Sequence, residues 1–193
     1  METDVDPARS GAYARFGKPL LDRIVGLTLA LLTLPVVLVL LALAWNAFGW
    51  PPLQRVARVG RHGTRFNLYR VNTRRSYHTD LRGRHLRLSR WLRSTSLDEL
   101  PQLWNVVRGH MSLVGPRPID PVMARELDDA GSRRHAARPG LTGPWQLSAR
   151  GDGRHLLDHL SLDLAYVEEI SFRRDLIILA RTVPTLLRHR EDV

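Results

Sequence analysis

Hydrophobic residues are concentrated in one long run near the N-terminus. Residues 24–48 form a stretch of 25 positions without a charged side chain. As a single helix this run would be roughly 37 Å long, and the hydrocarbon core of a bilayer is about 30 Å thick. Pro35 lies in the middle of the run, where it removes a helix hydrogen bond and predicts a break. Each half would then reach only about half-way through the bilayer.

The residues on both sides of this run are basic. Four cations precede it and four follow it: Arg9, Arg15, Lys18 and Arg23, then Arg55, Arg58, Arg61 and Arg65. Because basic residues favour the cytoplasmic side of a membrane, both ends of the run are predicted to stay there. Trp45 and Trp50 suit the membrane interface at the point of exit. These features favour a re-entrant helix-break-helix hairpin. A transmembrane anchor and a signal peptide, with Ala42-Leu43-Ala44 as its cleavage site, are the open alternatives.

Shorter patterns follow the apolar run. Apolar residues alternate over residues 53–59 and 66–71, with Gly60 and Gly63 between them, so a small β-hairpin is predicted. The sequence predicts helices in five later segments: residues 81–93, 96–107, 121–129, 155–169 and 173–189. The predicted fold is therefore mostly α with a small β-hairpin. A re-entrant membrane segment packs with a cytoplasmic domain, and amphipathic helices lie at the interface.

The net charge of the chain indicates which kinds of partner it can bind. The chain has 29 Lys plus Arg against 19 Asp plus Glu, a formal net charge of +10 with His neutral. Such an excess favours polyanions, which include nucleic acid, anionic lipid headgroups and phosphate-bearing substrates. Most of the cations are arginine, whose planar guanidinium holds phosphate through two hydrogen bonds at once. The absence of cysteine excludes disulfides and thiolate metal sites.

Two adjacent acidic residues, Asp98 and Glu99, stand at the start of the predicted helix 96–107. Ser96 precedes Glu99 at the spacing of a capping box, and acidic residues in a first turn also complement the helix dipole. A structural role therefore accounts for both carboxylates. In the functional alternative, the positive helix terminus keeps Asp98 ionised and holds phosphate nearby, which suits a carboxylate nucleophile. Spacing alone leaves both interpretations open.

Arg117 differs from the other arginines because Pro116 and Pro118 flank it and restrict its loop. A rigidly placed arginine is what diphosphate binding requires. Arg138 and Arg150 bracket a turn-rich stretch around Trp145, whose ring is either a stacking surface or a packed aromatic. The histidines show no metal-binding motif, but a Mg²⁺ ion that bridges a carboxylate and substrate phosphates needs none.

Several motifs, taken together and in order, resemble the bacterial sugar transferase family, the monotopic phosphoglycosyl transferases. The motifs are Lys18-Pro-Leu-Leu-Asp22, the apolar run broken by Pro35, Ser96-Leu-Asp-Glu-Leu-Pro-Gln-Leu-Trp-Asn105, Met111-Ser-Leu-Val-Gly-Pro-Arg-Pro118 and Arg138-Pro-Gly-Leu-Thr-Gly143. The resemblance covers nearly everything from Lys18 to the last helix. It is closest to the short form of the family, which consists of the catalytic core.

This resemblance implies transfer of a sugar 1-phosphate from a nucleotide diphosphosugar, usually a UDP-sugar, to a polyprenol phosphate, with release of UMP. Asp98 would form a covalent phosphosugar intermediate, and Glu99 together with Asp98 would bind Mg²⁺. Four arginines are expected to bind the substrate phosphates and the nucleotide: Arg93, Arg117, Arg138 and Arg150. The reaction would initiate membrane glycoconjugate assembly, such as that of an exopolysaccharide.

The expected organisation has three parts. A flexible arm, residues 1–17, precedes a re-entrant hairpin, residues 18–50, which breaks at Pro35. A catalytic domain, residues 51–193, follows at the cytoplasmic face of the bacterial inner membrane. The expected partners are the nucleotide sugar, polyprenol phosphate and inner-membrane lipid. No nucleic acid is expected, and homodimerisation stays open.

Three departures from the family pattern concern specificity more than the reaction. Leu34 precedes Pro35 where the family commonly has Ser, and Asn72 replaces an expected cation. The family sequence Gly-Trp-Ala-Gln with a later Gly-Arg becomes Gly143-Pro-Trp-Gln146 and Ala149-Arg150. The competing class of function is a non-enzymatic membrane-anchored scaffold, whose arginine surface would bind anionic lipid or nucleic acid.

Overall fold

The computed structural model describes residues 11–73, 83–148 and 160–187 of the 193-residue chain. A long N-terminal helix packs against a β-hairpin and a group of shorter helices. The α-helices are α1 (Lys18–Phe48), α2 (Gly83–Ser94), α3 (Leu103–Val107), α4 (Pro121–Glu126), α5 (Asp129–Ser132), α6 (Pro144–Ser148), α7 (Leu160–Glu168) and α8 (Phe172–Leu187). The strands are β1 (Leu53–Val59), β2 (Arg65–Val71), β3 (Ser112–Val114) and β4 (Gly140–Thr142). The predicted class, mostly α with a small hairpin, is confirmed.

Helical structure begins earlier than predicted. A π-helical turn, Tyr13–Gly17, leads directly into α1, although the predicted flexible arm extended to residue 17. The ring of Tyr13 packs edge-on against Phe172, and its hydroxyl donates a hydrogen bond to Asp175 Oδ2 at 2.7 Å. These contacts with α8 hold the turn in place. Residues 1–10 of the predicted arm lie outside the described residues.

Helix α1 continues through Pro35, so the two halves predicted from the sequence are not separate helices in the structure. Proline has no N–H, and the carbonyl of Leu31 therefore loses its partner four residues on. The hydroxyl of Thr33 does not replace that bond, because it donates instead to the carbonyl of Leu29 at 2.7 Å. Such back-bonding to the preceding turn favours bending of a helix without ending it.

The predicted hairpin is confirmed, and β2 begins one residue earlier than expected. Strands β1 and β2 are antiparallel, with Leu53 opposite Val71 and Val59 opposite Arg65. Asn72, where the resemblance led us to expect a cation, is buried at the open end of the hairpin. Its side chain accepts a hydrogen bond from Gln54 Nε2 at 2.8 Å and donates one to the Pro51 carbonyl at 3.1 Å. This departure therefore has a structural role in the present chain.

A second, parallel pair of strands, β3 and β4, was not predicted. Ser112 lies opposite Gly140 and Val114 opposite Thr142, so the two loop motifs of the sequence analysis meet as neighbours. A Cβ atom on Gly115 would collide with the Arg138 carbonyl, and one on Gly140 with the Gly115 amide. Glycine is required at these positions because the two backbones approach each other so closely.

The predicted helix 96–107 forms in two parts. Residues Leu97–Gln102 are a 3₁₀ helix containing Pro101, and α3 continues to Val107, before Gly109 as expected. The two parts meet next to Pro101, where a normal α-helical bond to the preceding turn is missing. Asp98 is thus carried on a tight turn instead of a regular α-helix.

The core has two hydrophobic clusters, and α1 contributes to both. The buried residues of the first cluster are Leu68, Leu103, Val106, Met111, Leu113, Val114, Tyr166 and Ile178, and Ala30 of α1 packs against them. Those of the second cluster are Leu40, Ala44, Ala47, Phe48, Val71 and Leu92, and Leu97 and Leu100 pack against them. The first half of α1 and its C-terminal end therefore contact the same folded domain.

The middle of α1 has a different environment from its ends. Its large apolar side chains are exposed on successive positions around the helix: Leu31, Leu32, Leu34, Val36, Leu38 and Val39. Among the described residues, one helix, Tyr13–Phe48, is long and apolar enough to cross a membrane. One face of this stretch, at Ala30, Thr33 and Val37, is only half-exposed, and the rest of its surface is apolar and open. A broad exposed apolar surface of this kind is typical of a helix in contact with lipid.

The N-terminal end of α1 is joined to α8 by buried polar contacts. Lys18 Nζ donates to Asp175 Oδ2 at 2.6 Å, and Tyr166 donates to Asp175 Oδ1 at the same distance. Asp22 accepts hydrogen bonds from the Ser112 hydroxyl at 2.6 Å and the Leu113 amide at 3.1 Å. These contacts connect α1 to both α8 and β3.

Candidate active site

The centre of the candidate site is Asp98, a completely buried carboxylate. Arg70 of β2 donates from Nε to Asp98 Oδ2 at 2.6 Å, and 35% of the Arg70 side chain is exposed. Oδ1 of Asp98 is buried and has no hydrogen-bond partner within the described parts of the chain. Asp98 is therefore held by Arg70 through Oδ2, and the hydrogen-bonding capacity of the buried Oδ1 is not used by the described residues.

Two influences act on the pKa of Asp98. Burial is the larger and raises it, because the carboxylate loses hydration, whereas the charge and hydrogen bond of Arg70 lower it. Arg93 acts in the same direction as Arg70. The net effect is a pKa above the usual range for aspartate. Arg93 itself is hydrogen-bonded to Thr73, because its Nε donates to the Thr73 hydroxyl at 3.1 Å.

Glu99 lies beside this pair and is partly exposed. Its Oε1 is 3.8 Å from Nη2 of Arg70. Within residues 11–73, 83–148 and 160–187, no group of three or more His, Cys, Asp or Glu side chains could hold a metal ion. A Mg²⁺ ion commonly takes one or two carboxylates and completes its shell with water and substrate phosphates. Oδ1 of Asp98, which accepts no hydrogen bond from the described residues, and the carboxylate of the neighbouring Glu99 fit that kind of site.

The capping-box interpretation of this segment is wrong. Ser96 adopts a left-handed backbone conformation, φ 56°, and its side chain makes no cap hydrogen bond. The amide of Glu99 donates to the backbone carbonyl of Ser96 instead, at 3.1 Å. Ser96 therefore does not cap this turn. Asp98 and Glu99 still lie in the first turn, where the helix dipole favours acidic residues.

Arg117 is held at both its backbone and its side chain. Its guanidinium lies 4.1 Å from the centre of the Trp145 ring, so Trp145 provides a stacking surface. The Arg117 carbonyl accepts a hydrogen bond from Arg134 Nη2 at 2.6 Å, and its amide donates to Asp163 Oδ2 at 3.3 Å. Arg134 and Asp163 also pair directly at 2.5 Å. This explains the rigid placement expected from the flanking prolines.

The structure distinguishes the remaining predicted arginines. The pKa of Arg138 is lowered by burial and by the charges of Arg61 and Arg23, while Asp22 raises it. Arg138 therefore lies close enough to Arg23 and Asp22 of α1, and to Arg61 between β1 and β2, to be affected by their charges. Its role in phosphate binding stays a prediction. Arg150 lies outside the described residues.

Three residues of the site region were missed by the sequence analysis: Arg70, Arg134 and Asp163. Arg70 alternates with apolar residues in β2 and resembles any solvated strand position. Arg134 belongs to a run of three basic residues, and Asp163 lies in an ordinary helical pattern. These three residues differ from other polar residues because they contact Asp98 or Arg117. The contacts form only when the chain is folded.

The position of Asp98 relative to α1 is determined by its neighbours on the 3₁₀ helix. Leu97 and Leu100 on either side of Asp98 pack against the second cluster, which contains the C-terminal end of α1. The carboxylate is therefore close to the point where the apolar helix ends. A buried acid paired with an arginine is typical of functional sites, and the long apolar helix beside it suggests a membrane-associated protein.

Comparison with known proteins identifies the family. The bacterial sugar transferase family matches residues 13–189, and the chain belongs to this family. It is 37% identical over 187 residues to a UDP-glucose:undecaprenyl-phosphate glucose-1-phosphate transferase from Caulobacter vibrioides, covering 88% of this chain and 69% of that protein. It is 36% identical over 179 residues to the uncharacterized sugar transferase EpsL from Bacillus subtilis, covering 88% of this chain and 87% of the relative.

A longer relative shows the same similarity over part of its length. The UDP-galactose-lipid carrier transferase of Erwinia amylovora is 35% identical over 199 residues, which cover 91% of this chain and 41% of that protein. The present chain thus spans about two fifths of that relative's length.

Proposed function

We propose that this protein transfers a sugar 1-phosphate from a nucleotide diphosphosugar, of which a UDP-sugar is the expected form, to a polyprenol phosphate. Relatives are named as undecaprenyl-phosphate sugar phosphotransferases, which supports this reaction class. The product would be a lipid-linked sugar that initiates a membrane glycoconjugate. The observation that carries the proposal is Asp98, a buried carboxylate paired with Arg70 and placed next to the end of α1.

The first step is attack on the donor by Asp98. A carboxylate oxygen forms a bond to the phosphorus that carries the sugar. The bond from this phosphorus to the bridging oxygen of the diphosphate breaks, and UMP leaves with the bonding electron pair. The result is a phosphosugar covalently bound to Asp98. The ionised form of Asp98 is the nucleophile, and Arg70 favours this form.

The second step regenerates the carboxylate. An oxygen of the polyprenol phosphate attacks the same phosphorus, and the bond to Asp98 breaks. When bound, Mg²⁺ would be held by Glu99 and Asp98 and would neutralise charge on the donor diphosphate. Arg70, Arg93 and Arg117 would bind phosphate oxygens. Because Arg70 is the exposed member of its ion pair, a donor phosphate can draw its guanidinium away and uncover Asp98.

We also propose that α1 enters the membrane and returns to the cytoplasmic face. Lys18 and Asp22 are buried against α8 and β3, and Ala44 and Phe48 are buried in the second cluster. A spanning helix would place its ends about 30 Å apart on opposite sides, where one domain could not contact both. A bend near Pro35 would insert the exposed middle of α1 into lipid and keep both ends at one face.

Assay of the purified protein with polyprenol phosphate, Mg²⁺ and a panel of UDP-sugars tests the reaction. We expect UMP release with at least one donor, dependent on the lipid acceptor for multiple turnovers. Without acceptor, a donor labelled in the sugar should leave label on the protein. Failure to release UMP with every donor would instead support the membrane-anchored scaffold.

Asp98→Asn is expected to lower UMP release by at least roughly 10³-fold, because the amide cannot act as the nucleophile. Covalent labelling by the donor should disappear at the same time. Glu169→Gln provides the matched control, since Glu169 is an exposed carboxylate that also pairs with an arginine, Arg174. Substantial turnover by Asp98→Asn would refute the nucleophile assignment.

A further inference from the structure

Arg134 and Asp163 form a buried ion pair, and neither residue lies on the 3₁₀ helix that carries Asp98. Arg134 lies on the 3₁₀ helix Arg133–Ala136 and Asp163 on α7, and their side chains are 1% and 0% exposed. Burial of two charges removes their hydration, and a buried pair rarely stabilises a fold more than apolar residues of the same volume. The pair therefore calls for an explanation other than stability.

The hydrogen bonds of the pair indicate its role. Asp163 Oδ1 and Arg134 Nε and Nη1 are buried without a partner among the described residues. Nη2 and Oδ2, the atoms that join the pair, are the same atoms that bind the carbonyl and amide of Arg117. A pair evolved only to stabilise the core would satisfy its remaining polar atoms. Here the hydrogen bonds that the pair makes to other residues both go to the backbone of Arg117.

Arg117 is consequently restrained from three directions. The prolines at 116 and 118 fix backbone angles and provide no amides of their own. The buried pair binds the backbone carbonyl and amide of Arg117, and the Trp145 ring lies against its guanidinium. An arginine ordered before the ligand arrives loses little conformational entropy on binding, which strengthens phosphate recognition.

We propose that Arg134 and Asp163 are positioning residues that hold Arg117 in the geometry needed to bind the donor diphosphate. This inference rests on the proposed function, because it assigns the purpose of the restraint to donor binding. Neither residue touches the reacting atoms. Their contribution is transmitted through the Arg117 backbone.

The first test measures the restraint without using activity. Hydrogen–deuterium exchange of the full chain in nanodiscs compares the wild type with Asp163→Asn, which keeps the side-chain volume and removes the charge. We expect faster exchange in peptides spanning residues 112–119 and unchanged exchange in the β1–β2 hairpin. Arg134→Lys, which keeps the charge but cannot form the same two bonds, should act in the same direction. Unchanged exchange at residues 112–119 in both variants overturns the proposal.

The second test measures donor binding kinetically. We expect Asp163→Asn to raise the donor KM by about 10-fold, with little change in the KM of polyprenol phosphate. In an Arg117→Lys background, the same substitution should raise the donor KM by less than about 2-fold, because the two residues act as one unit. Equal increases in both backgrounds overturn the positioning role.

Asp175→Asn is the matched control, since Asp175 belongs to a different buried ion pair, with Lys18. Its effect on donor KM should be the same with Arg117 or Lys at position 117. No UMP release by the wild type with any donor would refute the proposed function, and the exchange experiment would still report whether the pair orders Arg117. An unaltered donor KM in Arg117→Lys, with an active wild type, would refute the role of Arg117 and with it the proposal.

Discussion

At Asp98, two opposing influences act on one carboxyl group. Burial favours the neutral acid, and the guanidinium of Arg70 at 2.6 Å favours the carboxylate. A buried carboxylate without a cation would be protonated over much of the useful pH range. Its pairing with Arg70 opposes this effect of burial on the pKa, and the partial exposure of Arg70 allows that arginine to exchange partners. This arrangement suits a nucleophile that must be uncovered by its substrate.

Arg70→Met is expected to shift the acid limb of the activity profile to higher pH. Activity requires ionised Asp98. Removing Arg70 takes away the main influence that lowers its pKa, so the effect of burial remains and the pKa rises further. Activity should then be lost at a higher pH as the solution is acidified. The measurement is kcat/KM for UMP release from about pH 5 to pH 9.

Arg70→Lys is the matched variant, because it retains a positive charge near Asp98. Its acid limb should lie near that of the wild type even if its rate is lower, since lysine cannot reproduce the guanidinium geometry. Coincident acid limbs for Arg70→Met and the wild type would contradict control of the Asp98 pKa by Arg70.

At the level of elements, the site depends on how β2 is held against α3. Asn105 of α3 is completely buried, and its side chain acts as a substitute strand neighbour for β2. Its Nδ2 donates to the Asn67 carbonyl at 2.7 Å, and its Oδ1 accepts from the Tyr69 amide at 3.1 Å. These bonds lie next to Arg70. One amide side chain thus links the helix that follows Asp98 with the strand that carries its partner.

Asn105→Ala is expected to lower the free energy of unfolding by about 2–3 kcal/mol, because it leaves two backbone groups of β2 without their partner. Urea denaturation in detergent would measure this change. Asn67→Ala, at an exposed side chain of the same strand, should cost less than about 0.5 kcal/mol. Similar losses in the two variants would show that Asn105 does not secure β2.

At the scale of the whole molecule, α1 joins opposite parts of one domain. As a straight helix its 31 residues would extend roughly 46 Å. Its N-terminal end is hydrogen-bonded to α8 and its C-terminal end packs in the second cluster, whereas most large apolar side chains of its middle are exposed. The same domain therefore contacts both ends of the apolar segment. This organisation favours entry and exit at one membrane face.

Labelling of single cysteines tests this topology directly, because the natural chain has none. We expect Gly11→Cys and Arg65→Cys, before and after α1, to react with a membrane-impermeant maleimide in inverted vesicles and not in intact cells. Leu32→Cys, whose side chain is 69% exposed in the structure, should react only after detergent is added. Labelling of Gly11→Cys and Arg65→Cys from opposite sides would establish a transmembrane helix instead.

The sequence by itself determined the features that depend on local patterns. Alternation of apolar residues was enough for β1 and β2, because this period reflects which side of a strand avoids water. The uncharged run located the apolar helical segment, but the break predicted at Pro35 does not divide α1. The motifs around Asp98 and Arg117 also identified the candidate site residues. Trp145 was left between stacking and packing, since both use an aromatic ring.

Only the tertiary structure decided which side chains act together. Arg70 reaches Asp98 across 28 positions of sequence, and Arg134 reaches Asp163 across 29. Strands β3 and β4 are three residues each, too short to show a period, and they form because each supplies the other's hydrogen bonds. The physical reason is common to all three cases. A hydrogen bond or ion pair depends on distance in space, which the local pattern of a chain does not specify.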